Sequence, residues 1–534
     1  MGDDAGAEMN HNQNWSPGTD AGTHWECFSS NDCPPGQYCN EFHQCVSPPA
    51  TDGGTDGEVY QPPETEKEFS PPATGSRFVY VALSAQDVVV RIDSESLEVT
   101  SLPVGDRPTT LATAAGQDLA VVINSGSDSV SILRTADGDD TITTLDTPPH
   151  LNRLAISPLG GFAVAYFELD HPDTQDIGSF QDVSLIRLQP GEEAVYNVTV
   201  GFRPRRVVFT PDESAAFVIT EDGVSILDLA DLTAGFVAPT VPVSSDPIDE
   251  GMPDEVVVSP FGFRAFARWS FLPAVRTVDL VTEELVDTPL SGPPTDIDLT
   301  ADGSRLVAVV RDTSKVQILD VPDDIGDASA VDTIDCTPLA VGSAVLTQDG
   351  AGALVFTNAT NEEVISHVDL STGELEPVLL KKGVRTVALS PDGENALVLH
   401  NKLPGDPADA NDFETQIDRR YGFSILHLGS MFAKLQLTEA DPGGFAFMPD
   451  SSSAYLIVAD PNMSLRNVLG LDLSNLIVTP FVMGSHPTEV GVLPGTQRVY
   501  VSQEHSMGRV SFINVETEEV RTVTGFQLNS QITE

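Results

Sequence analysis

Residues 294–321 read PTDIDLTADGSRLVAVVRDTSKVQILDV. Apolar residues alternate with polar ones in IDL, crowd together in RLVAVV and VQILDV, and are separated by TADGS at Thr300 and by a second polar turn. Alternation over a few residues is the pattern of a strand, and Asp-Gly accepts a tight turn because glycine tolerates positive φ at no steric cost. The same phrase returns as PRRVVFTPDESAAFVITEDGVSILDL from Pro204 and as PTEVGVLPGTQRVYVSQEHSMGRVSFINVETEEVRTVTG from Pro487. Each copy ends in hydrophobic-Asp-hydrophobic or a close variant before a polar exit, and the unit recurs roughly every 40 to 60 residues. Hairpins of this kind begin near Phe78, Leu119, Phe162, Ala215, Arg264, Leu306, Ala353, Asn395, Ala454 and Val499. Short strands at regular spacing with one turn signature per repeat predict an all-β fold, a single large β-propeller of about ten four-stranded blades. The first hairpin follows directly on a linker, so its blade lacks an innermost strand. The segment GFQLNSQI near the C-terminus is the unassigned apolar stretch, and Phe526 to Ile532 is expected to pair beside Phe78 to Leu83 and close the ring, since open edges are usually avoided.

The chain of 534 residues carries 27 Lys+Arg against 80 Asp+Glu, a formal charge of -53. Such a charge repels phosphate backbones and anionic head groups, which argues against nucleic-acid and membrane-surface partners. No apolar run reaches the length of a membrane helix. Composition divides the chain into an acidic tether (1–26), a cysteine-rich module (27–45), a Pro/Gly/Thr-rich linker (46–76) and the propeller (77–534). Cys27, Cys33, Cys39 and Cys45 stand at equal spacing without C-x-x-C pairs, which predicts two disulfides in an oxidising compartment, with three connectivities open. Cys336 stands alone and is expected to remain a thiol.

RFVYVALS at Arg77, TVALSPDGENALVLHN at Thr386 and RVYVSQEHSMGRVSFINV at Arg498 resemble the YVTN and lactonase-like propeller repeat. That resemblance covers most of the chain and implies the fold. Its superfamily contains sugar-lactone hydrolases, cofactor-bearing oxidoreductase subunits, surface-layer proteins and binders without chemistry, so function must come from the site. CFSSNDCPPGQYCNEFHQC resembles the small Dickkopf-like cysteine-rich modules of secreted proteins. The opening GDDAGAE is similar to the acidic tether behind the lipidated cysteine of bacterial lipoproteins, and an ordinary cleaved secretory signal is the alternative. Both resemblances imply an extracytoplasmic protein: secreted, periplasmic or a cell-surface lipoprotein.

In such a repeat the S/T-P-D-G turns lie on one face, while second-to-third-strand loops and blade-to-blade crossovers share the other. Long insertions at Glu168 (ELDHPDTQDIGSFQD), Thr233 (TAGFVAPTVPVSSDPIDEGM) and Asn401 (NKLPGDPADANDFETQIDRRYG) all map to the second face, as a working face would. His150, His171, His400, His486 and His505 map there too and are candidates for ligand contact, for a transition metal or for a general base. Asp406, Asp409, Asn411, Asp412 and Glu414, and the turn Asp137, Asp139 and Asp140, offer oxygens suited to calcium, without the ordered spacing of a calcium loop. G-x-S-x-G, H-E-x-x-H and P-loop motifs are absent. Two functions follow as expectations. One is a non-enzymatic binding or scaffold protein that presents the long-loop face to a protein or glycan. The other is a lactonase-like hydrolase that opens a small cyclic ester at the central channel.

Overall fold

The computed structural model describes residues 38–39, 45–46 and 74–526, apart from 137, 171–176, 233–234, 260 and 262. The chain divides into two compact units, Met1–Pro62 and Pro63–Glu534. In the first, Tyr38–Cys39 pairs antiparallel with Cys45–Val46, which puts the backbone of Cys39 opposite that of Cys45. The expected disulfides of Cys27, Cys33, Cys39 and Cys45 lie outside the described residues.

The described residues of the second unit form ten antiparallel sheets in chain order, nine of four strands and one of three. We number these blades 1 to 10 and call their strands inner, second, third and outer. They cover Phe78–Pro103, Pro108–Asp146, Arg153–Thr199, Arg206–Val241, Glu255–Pro289, Asp296–Asp335, Ser343–Leu379, Val384–Thr438, Pro442–Val482 and Pro487–Thr524. The hairpins start where expected at Phe78, Leu119, Phe162, Ala215, Arg264 and Asn395, and one residue earlier at Arg305, Gly352, Ser453 and Arg498.

Second strands are buried on both faces, as in LAVVIN of blade 2 and NALVLH of blade 8, because each blade is sandwiched between two others. The buried apolar residues sort into ten clusters, and each draws on two successive blades. A row of ten blades has nine interfaces; the tenth joins the ends. It packs Val79, Leu83, Val90 and Ile92 of blade 1 against Leu493, Tyr500, Val510 and Phe512 of blade 10. The ring is therefore closed by side-to-side packing.

Polar ties cross the same seam. The Thr74 hydroxyl donates to the Val492 carbonyl at 2.7 Å, Gly495 N–H to the Ser76 carbonyl at 2.9 Å, and Ser94 and Thr496 hydroxyls lie 2.9 Å apart. Blade 1 is the three-stranded one, as its missing inner phrase implied, and Thr74 forms a single antiparallel bridge to Val79 on its inner edge. Phe526 places its ring in the seam at 3 % exposure, over Gly508, where a Cβ would meet the ring at 2.4 Å. The remainder of the expected closing strand, to Ile532, lies outside the described residues.

The repeated aspartates have a local structural purpose. At the third-to-outer turns Asp279, Asp369 and Asp472 each accept from backbone N–H groups two and three residues ahead. At the inner-to-second turns Thr300, Thr347 and Ser390 receive the N–H five residues on, and Asp302, Asp349 and Asp392 accept from the N–H two residues on. A carboxylate oxygen there satisfies donors that the sharp reversal leaves without ladder partners.

Candidate functional site

The two faces differ in construction. On the face of capped turns most connections are tight, and the longest, 229–239 in blade 4 and 321–331 in blade 6, join third to outer strands. The opposite face carries the three longest connections, 167–181, 242–254 and 401–420, and buried charges hold two of them in place. The part of the Thr233 insertion that precedes the outer strand Thr240–Val241 belongs instead to the capped-turn face, because it joins a third strand to an outer one.

The crossover into blade 5 contains a single helical turn, α1 (Pro247–Glu250). The Glu250 carboxylate accepts from the Ser244 hydroxyl at 2.7 Å, the Ser245 N–H at 3.0 Å and the Arg276 guanidinium at 2.6 Å. Arg276 is buried, is also paired with Asp287 at 2.7 Å, and stacks over Trp269 with its carbon 5.0 Å from the ring centre. Its hydrogen bond holds the Glu250 carboxyl far below the usual carboxylate range, and Asp287 with Glu250 keeps Arg276 firmly charged. Paired and hydrogen-bonded on every side, the guanidinium tolerates burial that an isolated charge would not.

The blade 8 insertion contains α2 (Phe413–Asp418), capped by Asp412, whose side chain accepts from Thr415 N–H. At its other end the carbonyls of Ile417 and Asp418 receive the Lys382 ammonium, at 3.2 and 2.8 Å. A cation at a helix C-terminus meets orphan carbonyls and the negative end of the helix dipole. Lys382 itself is wholly buried, and that burial pushes it down to about 8.

Beside it, His400 is also wholly buried: Nε2 lies 2.7 Å from the Ser424 hydroxyl and Nδ1 3.2 Å from the Gly383 carbonyl. Burial pushes its imidazole down to about 4, so it is neutral at ordinary pH. Asn124 in blade 2 and Gln503 in blade 10 occupy the corresponding end of the second strand and also bond a third-strand serine, Ser131 and Ser511. His400 is thus the blade 8 version of a repeated tie. Of the other candidates, His150 is exposed in a crossover with φ of 64°. His486 and His505 share one corner, where Glu504 N–H donates to the His486 carbonyl and Met507 N–H to His505 Nδ1. His171 lies outside the described residues.

Of the calcium candidates, Asp406 and Asp412 cap helical turns, while Asp409, Asn411 and Glu414 are exposed in the same loop. In the turn of blade 2, Asp140 bonds Arg91 and Thr135, and Asp137 lies outside the described residues. Among the described residues no group of three or more His, Cys, Asp or Glu is gathered closely enough to hold a metal ion. Cys336 is a buried free thiol between blades 6 and 7, raised by burial to about 11.

The inner strands carry a second polar feature, a cavity of about 350 Å³ whose walls include Arg268, Asp296, Asp298, Ser343, Asn358 and Thr386. Arg268 is bonded to Glu255 at 2.6 Å, and Asp296 receives Ala344 N–H at 2.6 Å, tying the inner strands of blades 6 and 7. At the long-loop end of the other inner strands, Arg153 pairs with Glu168, Arg205 with Asp170 and Glu221, and Arg385 with Asp441. Four arginines thus stand at this mouth, each beside a carboxylate. Sequence reasoning missed Lys382 and Arg276. The visible signal was the rarity of the residue type: Lys382 is one of six lysines and lies in a crossover flanked by apolar strands.

The sequence matches no protein-family profile and no curated protein. Among solved structures it is similar to Kuenenia stuttgartiensis hydrazine synthase, at 16 % identity over 60 % of this chain and 95 % of that one, with a TM-score of 0.34. It is also similar to the dihydro-heme d1 dehydrogenase NirN in complex with DHE, at 15 % identity over 69 % and 74 %, with a TM-score of 0.42. A structure of a eukaryotic initiation factor matches at 13 % identity over 84 % and 98 %, with a TM-score of 0.48.

Proposed function

We propose that the protein is an extracytoplasmic binding or scaffold propeller that presents its long-loop face to a partner. The observation that carries this reading is the asymmetry between faces: the three longest connections open on one, and buried ion pairs and a buried lysine hold two of them in defined positions. A preorganised loop loses little entropy on binding, which favours recognition. The even cysteine cluster and the acidic tether support a secreted or lipid-anchored setting, with the Dickkopf-like module and linker as a spacer.

A lactonase-like hydrolase is the second reading, supported by the polar cavity around Asp296 and Asp298. Both readings meet one experiment: a glycan array, a displayed peptide library and a lactone panel applied to the full chain and to a variant with residues 402–420 replaced by a Gly-Asn turn. Binding that the variant weakens, without lactone turnover, supports the first reading. Turnover abolished by Asp298→Asn, or binding that maps to the capped-turn face, overturns it.

A further inference from the structure

Six apolar side chains stand exposed along the long-loop face of the consecutive blades 3, 4 and 5: Leu169, Ile177, Phe202, Ile248, Met252 and Phe271, with Ile248 at 94 % and Phe271 at 59 %. They come from four different connections, so no single amphipathic element explains them. Two are held by stacking beneath them. The Phe202 ring lies 5.7 Å from Phe180, which lies 5.7 Å from Phe167, and Phe271 lies 6.5 Å from the buried Trp269. Exposed apolar groups held in place rather than folded away are the mark of an interaction surface.

Four of the six apolar groups are set beside a carboxylate. Asp222 accepts from the N–H of Phe202 at 2.7 Å, Asp246 from the N–H of Ile248 at 3.2 Å, and Asp254 from the N–H of Ser270, next to Phe271. Asp170 adjoins Leu169. Asp222 and Asp246 are therefore fixed to the backbone of residues that present apolar side chains, and Asp254 to the residue before one. Arg203 and Arg205, the basic residues on this arc nearest Phe202, share Asp170 and Glu221.

We propose that this arc docks a cationic polypeptide segment in which lysine or arginine alternates with aliphatic or aromatic residues. Apolar anchors would enter between the exposed rings and side chains, while the flanking cations meet Asp222 and Asp254. A second copy of the chain fits poorly, because two bodies of formal charge -53 repel. A glycan would use the aromatic rings without requiring an acidic border. The inference rests on the long-loop face being the binding face.

The test uses the full chain and two synthetic twelve-residue peptides, one alternating Lys and Leu and one alternating Lys and Ser. Binding is measured in 0.15 M salt, where attraction beyond about 8 Å is screened. The Lys-Leu peptide is expected to bind at least tenfold more tightly than the Lys-Ser peptide. The double variant Ile248→Ser with Phe271→Ser is expected to lose about tenfold, and Val281→Ser with Phe432→Ser, also exposed but on the capped-turn face, to lose none. Equal binding of both peptides, or equal loss in both variants, overturns the proposal. Lys-Leu binding that depends on residues 402–420 but not on Ile248 and Phe271 also overturns it, while leaving the long-loop face as the binding face. Competition by a glycan, with no effect of the peptides, does the same.

Discussion

His400 shows how one side chain separates chemistry from architecture. Its position just past a second strand suggested a ligand or base, yet both ring nitrogens are engaged inside the blade. With its protonation lowered to about 4 from an ordinary 6.5, the unfolded chain binds the proton first as pH falls. The stabilisation is whole above about pH 6.5 and is lost on the way to pH 4, by up to about 3 kcal/mol. Gln503 performs the same tie in blade 10 without titrating. We therefore expect His400→Gln to fold and to show a shallower fall in melting temperature between pH 6.5 and 4.5 than the parent. Identical pH profiles would mean that His400 is not buried neutral. The aspartates carry a related lesson: clustering and acidity suggested calcium at Asp406 and Asp412, and the backbone N–H groups that these carboxylates cap are a feature of helix placement that composition does not reveal.

Among the connecting elements, the hairpins were readable because strand alternation and turn chemistry are local. That is why Phe78, Leu119 and Asn395 open their strands where the pattern put them. The insertions were readable as insertions, but what holds them was not: Lys382 meets Ile417 and Asp418 across more than thirty positions of sequence. Lys382→Met should leave the blades intact and free the end of α2, raising protease cleavage and amide exchange within 401–420 while the global melting temperature changes little. Because burial lowers Lys382 from 10.5 to about 8, its charged form is disfavoured in the folded state. The contribution of Lys382 to stability rises between pH 8 and 10.5, by up to about 3 kcal/mol. The facing groups are Asp418 and Glu363, which favour the ammonium, and Lys402, which opposes it. Exchange in the insertion should therefore slow, after correction for intrinsic rates, as pH rises through 8 in the parent but not in Lys382→Met. Unchanged protection in the variant would show that α2 is held by something else.

For the molecule as a whole, the number of blades was legible, and so was a first blade of three strands among the described residues, since ten hairpins faced nine inner-strand phrases. The manner of closure was less so, because side-to-side packing of blades 1 and 10 joins residues some 400 positions apart, beyond any local pattern. Phe526 is the described part of the C-terminal segment that joins this seam. Phe526→Ala should cost about 3 to 5 kcal/mol, as large-to-small changes in cores do, read as a lower denaturant midpoint. A change below about 1 kcal/mol would place the ring outside the seam. A closed ring makes the most direct demand at Ser94 and Thr496, whose hydroxyls lie 2.9 Å apart across the junction. Ser94→Cys combined with Thr496→Cys should form an intramolecular disulfide on mild oxidation of the folded monomer and raise its melting temperature, because the bond closes a very long loop. Failure to form that bond, or formation only between molecules, would contradict a ring of ten blades closed between the first and the last.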